Sequence, residues 1–126
     1  MMDYVQGNNA QRCNDPISIG GTCVAQIDGR FFLLIEIEIE VIGNEREEVI
    51  IFEITAAQAA ALIAAGVMRC QIVNTIPTPS PGREVNLICT FVVDKNVFLV
   101  FDVENATDRL VLVRVPLCCL CTSTNV

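Results

Sequence analysis

The chain contains no histidine and no tryptophan, and it has one tyrosine, Tyr4, and one lysine, Lys95. The missing histidine excludes Ser-His-Asp and Cys-His nucleophile systems, histidine-ligated zinc and the commonest general base. Basic charge is also scarce. Eight basic against fifteen acidic residues leave a net charge of -7, which repels a phosphate backbone and excludes nucleic acid as a partner. No segment approaches the ~20 consecutive apolar residues of a membrane helix. The longest greasy run, residues 31–35, breaks at once into Glu36, Glu38 and Glu40, so no membrane association is expected. Neither a Walker phosphate loop nor a dinucleotide glycine fingerprint is present, because Gly20-Gly21 precedes a strand pattern instead of joining a strand to a helix. The start, Met1-Met2-Asp3-Tyr4-Val5, lacks the basic region and apolar core of a signal peptide. Synthesis in the cytoplasm without export is the expectation.

What is present is a chain of 126 residues, of which 52% are apolar. That length makes one ordinary domain, able to bury roughly two thirds of the surface its unfolded form exposes and to fold without a metal or disulfide staple. The apolar fraction stands above the usual soluble range, so some apolar surface is left for a partner to cover. Seven cysteines are an odd number, and at least one sulfur cannot pair within a monomer.

Polar and turn-forming residues dominate residues 1–22, with Asn14-Asp15-Pro16 and Gly20-Gly21 as breaks, and predict an N-terminal arm. A single β domain is expected over residues 23–117. It opens with a strand at 23–27, the hairpin pair Asp28-Gly29 and a long strand at 31–42. Gly43-Asn44-Glu45-Arg46-Glu47 reads as the next turn, before a β-branched strand at 49–54. The period then changes once. Thr55-Ala56-Ala57-Gln58 is a capping box opening a short alanine-rich helix over about residues 55–65, ended by Gly66. Strand character resumes at 67–73, and the stiff loop Pro77-Thr78-Pro79-Ser80-Pro81-Gly82 precedes strands at 84–93, 97–103 and 109–115. Seven or eight short strands with tight turns and one helix predict a mainly β fold, an antiparallel sandwich or barrel of jelly-roll-like character. Several strands are apolar on both faces, and a second copy of the chain is the economical cover for the outer one.

Two groups of residues carry potential chemistry. In the run Ile35, Glu36, Ile37, Glu38, Ile39, Glu40, Val41 the period is two, so the carboxylates share one face about 7 Å apart. Carboxylates on a neighbouring strand would complete a divalent-cation site or a glycosidase-like acid pair. The expectation is a solvated face whose like charges deter edge pairing, with no catalytic residue, no resident metal and no cofactor. Asn105-Ala106-Thr107 matches the glycosylation triplet but stands in a chain without an export signal, where it reads as chance.

The second group is sulfur. Cys118-Cys119-Leu120-Cys121 crowds three thiols into the tail at residues 118–126. A soft metal, zinc or Cu(I), would need further thiolates to join them, and a redox centre would need a helix behind the Cys-x-x-Cys spacing. Intermolecular disulfides fit best, with Cys13, Cys23, Cys118, Cys119 and Cys121 as candidates and Cys119 or Cys121 reaching Cys13 or Cys23 of a neighbour. Cys70 and Cys89 fall inside strands and are expected as buried packing residues or one internal bridge.

With Cys13, Cys23, Cys89 and Cys118-Cys119-Leu120-Cys121 set on a histidine-free β pattern, the chain resembles the cysteine-rich spore-coat, exosporium and spore-appendage proteins of spore-forming bacteria. The resemblance implies a subunit made inside the mother cell and later assembled into disulfide-hardened layers or fibres on the spore surface. Appendage subunits carry their cysteine pair in an N-terminal connector, whereas here the pair is C-terminal. The leading expectation is therefore a non-enzymatic, self-assembling homo-oligomeric β subunit cross-linked through terminal cysteines. The alternative is a small binding module holding zinc or Cu(I) at the C-terminal thiols. No small-molecule ligand is indicated.

Overall fold

A computed structural model describes residues 17–116. The elements run β1 (Ile17–Ile27), β2 (Arg30–Val41), β3 (Asn44–Ile54), α1 (Ala56–Ala64), β4 (Met68–Arg69), β5 (Gln71–Val73), β6 (Glu84–Val93), β7 (Asn96–Glu104) and β8 (Asp108–Pro116). They form two four-stranded sheets, ordered β3-β2-β1-β4 and β5-β8-β7-β6. The mainly β sandwich with one short helix expected from the sequence is what forms, and the barrel is not closed. No helix among the described residues is long and apolar enough to cross a membrane.

Each sheet is a three-stranded antiparallel meander extended by a short parallel strand. Asp28 and Gly29 both take positive φ, 51° and 77°, and so close the β1–β2 hairpin in the twist its strands need. The β2–β3 turn is tighter than the sequence implies. It consists of Ile42 and Gly43, again at positive φ, and Asn44 pairs directly with Val41. Residues 44–47, read above as part of a turn, therefore belong to β3, because the two-residue loop leaves them opposite β2 and its ladder absorbs their backbone groups. Strand structure also begins at Ile17, six residues before the expected boundary at Cys23. Gly20-Gly21 does not break this strand. It forms a β-bulge, with two residues facing Glu36 alone between the pairs Ile19↔Ile37 and Thr22↔Ile35.

The single strand expected at 67–73 is divided between the sheets. Met68 and Arg69 run parallel to β1, beside Cys23 and Val24. Gln71, Ile72 and Val73 run parallel to β8, beside Val111, Leu112 and Val113. Cys70 is the crossing point, its N–H donating to the Val24 carbonyl at 2.8 Å. This segment joins the sheets along one side, while β3 and β6 are the outer strands of the other.

The helix starts as its capping box predicts. Gln58 N–H donates to Thr55 Oγ1 at 3.1 Å and Thr55 N–H donates to Gln58 Oε1 at 2.9 Å. Ala59, its buried residue, lets α1 lie close on β1 and β2. Between the sheets Ile27, Leu34, Phe98, Val100 and Leu112 are fully buried. Phe91 bridges Phe32 of the first sheet and Phe98 of the second, with ring centroids 6.1 and 5.4 Å apart. A separate buried cluster, Phe101, Val103, Val111 and Val113, occupies the outer face of the second sheet.

Candidate functional site

Alternation along β2 puts Phe32, Leu34, Glu36, Glu38 and Glu40 on one face. Since Phe32 and Leu34 fill the core, that face points between the sheets, and Glu36 is 0% exposed. The three glutamates do share a face, but the expected solvated face is corrected at Glu36. Exposure returns only outward along the strand, with Glu38 half-buried and Glu40 exposed. The isoleucines between them point away from the core.

Three other strands make the same change of chemistry at the same level. The inward face of β3 passes from Val49 to Glu47, that of β7 from Val100 to Asp102 and then Glu104, and that of β8 from Leu110 to Asp108. The registers Glu38↔Glu47, Asp102↔Leu110 and Glu104↔Asp108 bring these side chains together at one end of the sandwich. Oxygen atoms of Glu36, Glu47 and Asp102 all lie within 4.8 Å of one another, and those of Asp102, Glu104 and Asp108 do likewise. The two triads share Asp102.

The glycine bulge exists to admit Glu36. A Cβ on Gly20 would stand 2.8 Å from Glu36 Oε1 and 3.2 Å from its Cδ. Gly21 N–H donates to the same Oε1 at 3.0 Å, and Ser18 Oγ donates to Glu38 Oε1 at 3.4 Å. Beyond these the cluster is short of donors. Glu36 Oε2 and both oxygens of Asp102 are buried with no donor group in reach; the neighbour of Asp102 is the Glu104 carboxylate, which bonds to it only when one of the two carries a proton. The ion pairs among the described residues, Arg30 with Glu53 and Asp94 and Arg46 with Glu48, lie elsewhere.

Unpaired carboxylates in such surroundings hold their protons. Burial first, then proton-sharing with Glu104 and the charges of Glu36, Glu104 and Glu47, push Asp102 up to about 9. Burial, followed by the charges of Glu36, Glu104, Glu38 and Asp108, pushes Glu47 up to about 7. Burial raises Glu36 against the opposing Gly21 N–H, and burial with the Glu104 charge raises Asp108. Two ionised carboxylates 4.8 Å apart repel by roughly 3 kcal/mol at an effective dielectric of about 20. The cluster is relieved either by keeping protons or by taking a cation.

An open cleft of about 300 Å³, lined by Ser80, Gly82, Arg83, Glu84, Glu104 and Asn105, reaches Glu104 from solvent. None of its residues is aromatic, and the rings stack at the opposite end of the sandwich, so a sugar would find no stacking platform in the cleft. The glycosidase-like arrangement gains nothing from this geometry.

Cys23 forms a disulfide with Cys70, their Cα atoms 4.9 Å apart. The expectation that Cys23 bridges to a neighbour is corrected, because Cys23 faces the interior in register with Met68, which brings the Cys70 backbone alongside it. Cys70 is internal as expected, with a partner other than Cys89. Cys89 remains a free, half-buried thiol, raised by burial and then by the Glu48 charge. Cys13, Cys118, Cys119 and Cys121 lie outside the described residues. Glu47, Asp102, Glu104 and Asp108 were not singled out from sequence. The available signal was the alternation Phe98, Val100, Asp102, Glu104, which repeats on β7 the passage from apolar to acidic seen on β2.

No family model, curated protein or solved structure matches the chain. Its function has to be argued from this geometry and from the residues themselves.

Proposed function

We propose that the chain is a non-enzymatic structural subunit that self-associates through the outer face of its first sheet and is then cross-linked through cysteines. The observation that carries this reading is an apolar outer face that, among the described residues, is left uncovered beyond the helix. Ile17 and Ile19 of β1 lie beside Ile39 and Ile37 of β2, and Ile35 and Leu33 lie beside Ile50 and Phe52 of β3. Ile19 is 70% exposed and Phe52 48%. Burying each such side chain contributes ~1.5 to 3 kcal/mol, so a handful of them covers the cost of association. The occupant that fits is a second copy. A twofold contact presents the same patch twice, and Arg46 and Glu48, ion-paired with each other at 2.9 Å on the outward face of β3 beside Ile39 and Ile37, could exchange partners with their copies across the axis.

The disulfide sharpens the covalent part. Seven cysteines less the two in the Cys23–Cys70 bridge leave five, an odd number that cannot be satisfied within one chain. The resemblance to spore-coat and appendage proteins supports the same reading and places the expected site of deposition on the spore surface. Sedimentation under reducing conditions tests the apolar face. The wild type is expected to dimerise or assemble further, and Ile37→Lys to sediment as a monomer. A wild type that stays monomeric at high concentration, and whose thiol-blocked sample runs as one ~14 kDa band on a non-reducing gel, would sink the proposal.

A further inference from the structure

We propose that the carboxylates between the sheets form a divalent-cation site, with Glu36, Glu47 and Asp102 as its inner ligands and Glu104 and Asp108 beside them, and that the ion it takes is Ca²⁺. The inference does not depend on self-association. It rests on two independent observations. One is spacing: ligand oxygens on opposite sides of a Ca²⁺ ion at ~2.4 Å are at most ~4.8 Å apart, and the oxygens of both triads meet that limit of 4.8 Å. The other is the state of the inner ligands. Asp102 and Glu36 are both 0% exposed, and three of their oxygens have no donor group in reach. A protein rarely buries acceptors without a donor unless something else supplies the positive charge.

The donor set decides the class of ion. It consists wholly of hard carboxylate oxygen, with no histidine in the chain and the half-buried Cys89 thiol absent from either triad, which disfavours zinc and copper. Mg²⁺ keeps several of its waters and demands a near-ideal octahedron, whereas Ca²⁺ accepts six to eight oxygens in a flexible shell. A site where four strands each offer carboxylate oxygens suits the second. The ion would sit where Glu36 and Glu47 of the first sheet meet Asp102 of the second, binding the sheets at the end where no apolar core holds them. The open cleft reaches Glu104, whose oxygen lies within 4.8 Å of one of Asp102.

The test is thermal unfolding of the full chain after EDTA treatment and buffer exchange at pH 7.5, with CaCl₂, MgCl₂ or no addition, paired with calorimetric titration of CaCl₂. The expected result is a rise of about 5 to 10 °C in Tm with Ca²⁺, a smaller one with Mg²⁺, and saturable binding of about one ion per chain. Asp102→Asn and Glu36→Gln are expected to lose the rise, and Glu40→Gln, on the exposed end of the same strand face, to keep it. A wild type that neither binds nor shifts overturns the proposal even if a variant fails to fold. An equal shift in Asp102→Asn also overturns it, by reducing the effect to general ionic strength. Because the readouts are binding and melting, failure here leaves the sedimentation result for self-association intact.

Discussion

The space between the sheets has two halves built on the same strands. At the end marked by the Asp28-Gly29 turn it holds Ile27, Phe32, Leu34, Phe98, Val100 and Leu112, with the guanidinium groups of Arg30 and Arg114 lying over the rings of Phe32 and Phe98. Two residues on from Leu34, Val49, Val100 and Leu110 the same faces of β2, β3, β7 and β8 present Glu36, Glu47, Asp102 and Asp108. The backbone ladders are continuous through both halves, so the hydrogen-bonded sheet does not distinguish them. Side-chain chemistry does. The apolar half stabilises itself by excluding water, whereas the acidic half is stable only with protons or a cation bound. A fold can thus keep one architecture while giving one end to stability and the other to a ligand.

The largest break in this comparison comes from the apolar half. Phe98→Ala removes a fully buried ring that stacks on Phe91, and a loss of about 3 to 5 kcal/mol is expected in urea unfolding. The boundary between the halves is held by sulfur. Cys70→Ser opens a loop with a sequence separation of 47 and is expected to cost about 2 to 4 kcal/mol in the same measurement. Gly20→Ala acts within the acidic half. Its Cβ at 2.8 Å from Glu36 Oε1 must displace the carboxylate or open the bulge, and about 1 to 3 kcal/mol is expected from overpacking.

The last effect has the opposite sign. Asp102 is held up at about 9 in the folded chain, while an unfolded aspartate titrates near 4. In the cation-free protein the folded state therefore keeps a proton that the unfolded state releases. Its stability is fully present below about pH 4 and is lost as pH rises toward 9, with Glu36, Glu47, Glu104 and Asp108 contributing the surrounding charge. A series of melts from pH 5 to 9 without divalent ions is expected to show Tm falling. Asp102→Asn is expected to flatten that slope and raise Tm slightly at neutral pH. A rising Tm over the range would contradict the account of the acidic half.

The contrast between the halves was only partly legible beforehand. The two faces of β2 follow directly from its period of two, but alternation identifies two faces without saying which is inside. Isoleucine against glutamate invites the apolar face inward. In this chain the same strand also carries Phe31, Leu33 and Ile35 opposite Phe32 and Leu34, so both faces were candidates for burial and the charged segment misled the choice. Gly20-Gly21 looked like a breaker because its bulge has meaning only against Glu36 across the ladder. Residues 44–47 read as a turn because charge and asparagine are turn-like until a two-residue loop pairs them. Cys23 and Cys70 meet through a parallel pairing that no local pattern announces.

By itself the sequence determined the mainly β class, the capped helix at Thr55, the hairpin at Asp28-Gly29 and the exclusion of histidine chemistry. These follow from local periodicity, side-chain conformational preference and composition. Only the tertiary structure decided which face of each strand was covered, which sulfurs met and that carboxylates from four strands converged on one end. Burial and charge clustering are properties of what packs against a strand, and that partner lies tens of residues away along the chain.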